Sequence, residues 1–226
     1  MTNTNIKFNL ENEGYKIVRQ NIFNISIEIL NEFHDILKND EIPTHGNFKN
    51  IKVIKNINKF KFLNNIYKEL TSILKKNNIA DYKFEDVWAQ KSEHITTQPG
   101  ELPFIPHIDK IRKFKVMIYL NDVAEESGPI HFVKCKPNNY ENFRKNLGKN
   151  YKANKENKIK DFDISDYENC NGPVGTIIFF DTNCPHFAET IKKENFDSRY
   201  IYRFNFIINQ KNSFLKKLKE RIFKTK

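Results

Sequence analysis

From Asp81 onward the chain breaks into short runs rich in β-branched and aromatic residues: YKFEDVWAQ, SEHITTQ, FKVMIYL, PIHFV, GTIIFF and RYIYRFNFII. Turn signals such as QPGE, ESGP and NGPVG separate them, which is the pattern of closely spaced strands. Six or more such strands, preceded by helical segments, imply an antiparallel β-core with helices packed on one side. Closure as a barrel or jelly roll limits the exposed edges of such a core. With 226 residues the chain fits one domain, and 20 Phe and 9 Tyr supply apolar area for its interior.

The first 80 residues read as a helical part. GYKIVRQNIF suggests a short strand, and a helix follows from about Ser26 to Leu37 with Ile27, Leu30, Phe33 and Leu37 at helical spacing. A second helix is expected from Phe62 to Lys75, with Leu63, Ile66, Leu70 and Leu74 on one face. The β-core spans 81–210, and the tail 211–226 (SFLKKLKERIFKTK within it) reads as a packed basic helix. Residues 135–170 are long and polar, a candidate lid over the barrel mouth. The net charge is +10, but Lys, Asn, Ile and Phe are abundant along the whole chain, so no focused basic patch points to nucleic acid. Cys135, Cys170 and Cys184 form no C-x-x-C pair and read as free thiols of a reducing compartment. No signal-peptide pattern opens the chain and no stretch is apolar enough to span a bilayer, so a soluble, cytoplasmic protein is expected.

Three features carry chemistry. In PHIDK, residues i and i+2 of an extended segment point to one side, so His107 and Asp109 present an imidazole and a carboxylate to one point. Alone, an H-x-D pair is equally well a polar strand edge. In GTIIFFDTNCPH a second histidine, His186, stands beyond an apolar strand and a turn. Two histidines and a carboxylate from separate strands make the three-ligand face that suits Fe(II) and leaves open positions opposite; the same residue types also suit zinc. Arg199 follows thirteen positions later in DSRYIYRFNF, where alternation puts Arg199, Ile201, Arg203 and Asn205 on one face. An arginine facing into a barrel needs an anion. Its fork suits the far carboxylate of a dicarboxylate ligand, and a structural salt bridge is the alternative.

Together PHID, KVMIYLNDVAEESGPIHFV, GPVGTIIFFDTNCPH and DSRY resemble the phytanoyl-CoA dioxygenase-like branch of the Fe(II)/2-oxoglutarate oxygenases, over roughly residues 80–208. The resemblance implies a double-stranded β-helix of jelly-roll or cupin type. It implies Fe(II) held by His107, Asp109 and His186, and the C5 carboxylate of 2-oxoglutarate held by Arg199. The keto acid would chelate the iron and leave one position for O₂; its oxidative decarboxylation to succinate and CO₂ then drives attack on a C–H bond. The chain departs from the family pattern in two places. VKCKPNN stands where a P-G-S-H segment is common, and Ala188 stands where a Ser or Thr often helps to hold the keto acid. Thr190 or Tyr119 are the candidates to replace that hydroxyl. Lys115, Met117 and Tyr119 share a strand face and are candidates to line the site, although Met117 and Tyr119 equally suit a filled barrel. His34 and His45 lack metal-spaced partners; His94 and His131 fall on strands and are candidates to reach the pocket.

The expected activity is hydroxylation of a small molecule. A halogenase of this fold needs an open position where Asp109 stands. A nucleic-acid dealkylating dioxygenase is an alternative suggested by the charge, but that class carries R-x-x-x-x-x-R, whereas Arg199 and Arg203 stand four apart. A non-enzymatic metal-binding barrel is the other alternative. Lys110, Lys113, Lys115, Lys134 and Lys136 gather around the presumed mouth and suit an anionic substrate.

Overall fold

The long central strands bury both of their faces, and this sets the layering. In FKVMIYL, Phe114, Val116 and Ile118 join one apolar cluster while Met117 and Tyr119 join another. Ile177 and Phe179 alternate with Ile178 and Phe180 in the same way. A sheet whose two faces are both apolar must be covered twice.

The computed structural model describes residues 6–77, 82–94, 103–147, 159, 162–192 and 198–208. Its helices are α1 (Leu10–Glu13), α2 (Ile27–Lys38), α3 (Lys61–Lys76) and α4 (Glu141–Asn146). Its strands are β1 (Tyr15–Val18), β2 (Thr44–His45), β3 (Phe48–Ile54), β4 (Tyr82–Ser92), β5 (Lys113–Tyr119), β6 (Ile130–Phe132), β7 (Glu168–Asn169), β8 (Ile177–Asp181), β9 (His186–Ala188) and β10 (Arg199–Ile208). Seven strands form one sheet in the order β1-β8-β5-β10-β4-β3-β2, and three form a smaller sheet, β7-β6-β9. All pairings between these strands are antiparallel. This is the expected mainly β jelly roll with flanking helices.

Helices α2 and α3 cover the outer face of the large sheet. Phe33 is fully buried and meets Tyr202 edge-on at 5.4 Å between ring centroids. Leu63, Ile66, Leu70 and Leu74 of α3 are all buried, as the spacing predicts. In α2 the stripe is rotated: Ile29, Phe33 and Ile36 are buried while Ile27 is 63% exposed. Ile27 opens the helix and lies about 120° around the axis from Phe33, so it cannot share that face. The start of α3 has an external cause. Glu32 of α2 accepts the backbone N–H groups of Phe62 (3.1 Å) and Leu63 (2.7 Å), capping α3 from its neighbour.

The inner face of the large sheet meets the small sheet. Met117, Tyr119, Ile178, Phe180 and Ile201 pack there with Ile130 and Phe132. Two expectations change. Besides the expected short strand, which is β1, the first 80 residues carry β2 and β3, and this hairpin extends the large sheet beyond β4. In SEHITTQ, Ser92 ends β4 and neither Glu93 nor His94 is in a strand; 95–98 lie outside the described residues. The expected tail helix also lies outside them, as do 148–158, 160 and 161 of the lid candidate. The described part of that excursion packs down: Tyr140 and Ile159 bury Ile108, the residue between His107 and Asp109.

Candidate active site

The segment 107–109 lies antiparallel to the stretch that leads into β9. His107 and His186 exchange both backbone hydrogen bonds, each 2.9 Å, and Asp109 N–H donates to the Thr182 carbonyl at 3.0 Å. A pair that exchanges both bonds is directly opposed, so its side chains leave on one face. The two imidazole centroids are 4.4 Å apart.

Backbone carbonyls set the tautomers. His107 Nδ1 lies 2.7 Å from the Ile105 carbonyl oxygen, and His186 Nδ1 lies 2.8 Å from that of Cys184. A carbonyl only accepts, so each Nδ1 carries the hydrogen and each Nε2 keeps its lone pair. Both Nε2 atoms face Asp109 Oδ1, at 3.7 Å from His107 and 3.8 Å from His186. Asp109 Oδ2 is held separately by Lys115 Nζ at 2.6 Å.

Burial, with His107 beside it, pushes the His186 pKa down to about 3, and burial lowers His107 as well. Burial acts to raise Asp109, but Lys115 and then the two imidazoles outweigh it and hold the carboxyl well below its usual range. Two neutral imidazoles and one carboxylate are a donor set for a divalent cation. The three ligand atoms lie within 4.8 Å of one another, which small side-chain rotations reduce to the about 3 Å separating neighbouring ligands of a metal at about 2.1 Å.

Arg199 begins β10 opposite Ser92 and is buried, 5% exposed. Its Nη2 donates to Ser92 Oγ at 3.3 Å, while Nε and Nη1 are buried without a partner. Burial pulls its pKa down, and the neighbouring Tyr119 acts in the opposite direction. No acidic side chain pairs with it among the described residues. A buried guanidinium with two unmatched nitrogens makes Arg199 a candidate anion-binding group.

The remaining candidates distribute as follows. Tyr119 is buried and donates its hydroxyl to the Cys170 carbonyl at 2.9 Å. Thr190 lies two residues beyond β9, its backbone against Gly128. Lys115 turns inward onto Asp109, whereas Lys113 pairs with Glu85, and Lys134 with Glu13 at 3.1 Å. The other histidines do framework work: His94 Nδ1 meets the Ile191 carbonyl at 2.7 Å, and His131 stacks on Phe187 at 4.6 Å. His34 packs edge-on to Tyr200 at 5.2 Å, and His45 lies against Trp88 at 3.9 Å.

Sequence reasoning missed the groups that position His186. Arg112 Nε and Nη2 both donate to Asp181, the closest contact being 2.6 Å, and Asp181 Oδ1 accepts the Asn183 backbone N–H at 2.9 Å. Asn183 Nδ2 donates to Glu141 of α4 at 3.0 Å. Gly14 closes the other side with φ +78°, and a Cβ there would stand 2.7 Å from Cys184 Sγ. The signal available was the DTN that follows GTIIFF, a turn-forming trio.

No family model and no curated protein matches the chain. Solved structures do. The nogalamycin-biosynthesis carbocyclase SnoK, described as a non-haem, α-ketoglutarate-dependent enzyme, superposes with TM-score 0.62 at 13% identity, covering 87% of this chain and 80% of that one. The epimerase SnoN, in complex with Fe³⁺, α-ketoglutarate and nogalamycin RO, gives TM-score 0.59 at 12% identity over 88% and 80%. EctD from S. alaskensis, with 2-oxoglutarate and 5-hydroxyectoine, gives 0.59 at 12% identity over 88% and 73%. At such identities the likeness is one of fold: the chain shares the jelly-roll architecture on which these enzymes are built.

Proposed function

We propose that this protein is an Fe(II)- and 2-oxoglutarate-dependent oxygenase of the phytanoyl-CoA dioxygenase-like kind that hydroxylates a small molecule. The observation that carries the reading is the convergence of His107 Nε2, His186 Nε2 and Asp109 Oδ1, each with its other polar atom tied elsewhere. The structural neighbours SnoN and EctD, whose structures contain the keto acid, support it.

In this reading His107, Asp109 and His186 hold Fe(II), and Arg199 takes the remote carboxylate of 2-oxoglutarate. The bound metal and keto acid together supply O₂ activation, with decarboxylation to succinate and CO₂. The chain's own residues position and seclude. Ile105 and Cys184 fix the two imidazoles in the ligating tautomer, and Lys115 holds one carboxylate oxygen so that the other faces the metal. The Tyr119 hydroxyl gives its hydrogen to the Cys170 carbonyl, so it has none to donate to the keto acid and does not replace the missing Ser or Thr as a donor. Asp109 fills a position that halide would need, which favours hydroxylation.

The test is anaerobic titration of the Fe(II)-loaded protein with 2-oxoglutarate, followed by aerobic assay of succinate with pooled metabolites. The expected results are a visible charge-transfer band on keto-acid addition and substrate-triggered succinate. Tight iron binding with no 2-oxoglutarate binding would instead identify a non-enzymatic metal-binding barrel.

A further inference from the structure

The geometry points to Arg203 as the recognition group for a negatively charged substituent, a carboxylate or a phosphate, on the primary substrate. This rests on the oxygenase reading and names the substrate class for the same cavity. Arg203 stands mid-strand in β10, opposite Trp88 of β4 and Met117 of β5. It shares the inward face with Arg199, Ile201 and Asn205, and its charge is felt by Asp109 and Asp86. Its guanidinium carbon lies 3.7 Å from the centre of the Trp88 ring, and the His45 ring lies 3.9 Å from the same side chain. The stack fixes the plane of the fork.

What the fork lacks is a partner. Arg203 is half-buried and makes no hydrogen bond or ion pair with the described residues; its Nε is wholly buried and unmatched. The two carboxylates nearest in the cavity are engaged elsewhere: Asp86 Oδ1 accepts from Asn205 Nδ2 at 2.6 Å, and Asp109 is on Lys115. The Trp88 indole N–H beside it is likewise buried without an acceptor. Two neighbouring donors without acceptors, one cationic, describe an anion site.

Charge bookkeeping agrees. Fe(II) and the 2-oxoglutarate dianion cancel, and Asp109 and Asp86 offset two of the three inward cations Lys115, Arg199 and Arg203. One positive charge remains, and Arg203 is the cation with no assigned partner. A substrate bearing a single oxyanion group would neutralise the site and satisfy both donors. Arg199 and Arg203 then divide the work: one holds the cosubstrate, the other the substrate.

Trp88 is the only tryptophan of the chain, so its indole N–H resonance and its fluorescence report on this spot. The experiment uses Ni(II)-loaded protein saturated with 2-oxoglutarate, titrated with sodium acetate and, separately, inorganic phosphate, against sodium chloride at matched ionic strength. A saturable shift of the indole resonance is expected with acetate or phosphate and not with chloride, and the arm that saturates at lower concentration identifies the oxyanion. Arg203→Leu should weaken that binding at least tenfold with 2-oxoglutarate affinity unchanged within about twofold, and Arg203→Lys should retain part of it. A wild-type response to neither oxyanion, or an equal response in a folded Arg203→Leu protein, overturns the proposal. So does loss of 2-oxoglutarate binding in Arg203→Leu, which would make Arg203 the cosubstrate anchor. Failure of wild type to bind 2-oxoglutarate at all would count against the oxygenase reading instead, and the anion titration of the metal-loaded protein would still decide for or against Arg203.

Discussion

At the scale of single residues, the site combines two kinds of atom: those fully committed, and those left without a partner. The imidazole Nδ1 atoms and Asp109 Oδ2 are committed, so the free energy of metal binding is not spent on arranging them. Arg199 is the opposite case, and Arg199→Leu should weaken 2-oxoglutarate binding about 30- to 1,000-fold, roughly 2–4 kcal/mol, while metal affinity stays near wild type. Calorimetric titration of the metal-loaded variant checks this, and wild-type affinity for the keto acid would remove Arg199 from the site. Gly14 tests positioning. Its φ of +78° and the 2.7 Å approach to Cys184 Sγ leave a methyl group no room. Gly14→Ala should cost about 1–3 kcal/mol in thermal or chemical unfolding, with metal affinity falling as the turn before His186 shifts.

Between residues and the whole lie the elements, and the decisive one is the turn from Asp181 to His186. Asp181 is buried at 3% exposure and its carboxylate holds both Arg112 and the Asn183 backbone. Asp181→Ala removes the closer carboxylate partner of Arg112 and leaves it with Glu141 at 3.6 Å and the Asn138 side chain at 2.8 Å. Breaking a buried pair this way costs about 3–5 kcal/mol, and the partial exposure of Arg112 puts this case near the low end. The expected signature is a lower unfolding midpoint together with weaker metal binding; a variant with lowered stability and wild-type metal affinity would show that the turn does not position His186. This turn also marks how far the sequence can be read. The strands, the H-x-D pair, His186 and the inward arginines are legible because period-two alternation is local. Arg112–Asp181 is not, since it joins groups far apart in the chain by side-chain geometry alone. The same holds for Glu32 capping α3, for the rotated stripe of α2, and for the hairpin β2–β3, whose FKNIKVI mixes lysine and asparagine into an edge-side strand. Ile27 looked apolar and periodic, yet only packing against Tyr200 and Tyr202 could choose which side of α2 faces inward.

For the molecule as a whole, the candidate metal face belongs to no single segment. It exists where two distant stretches of chain close on each other, and a ligand that binds only this closed form stabilises it by mass action. Metal at about 100 times its dissociation constant should raise unfolding free energy by about 2.7 kcal/mol, and a chelator should remove that gain reversibly. An unfolding midpoint indifferent to metal and chelator would mean that the three ligands do not act together. The mutual backbone exchange between His107 and His186 has a further consequence, in time rather than in energy. The pairings around it are equally distant in the chain: Tyr15 lies opposite Phe180, and Trp88 opposite Arg203. Chains ruled by such distant pairings pay loop-closure entropy before contacts reward them, and fold in milliseconds to seconds. On refolding from denaturant, recovery of Trp88 fluorescence and recovery of metal affinity should therefore share one slow rate constant if both wait on such distant pairings, and two separate rate constants would show that they do not.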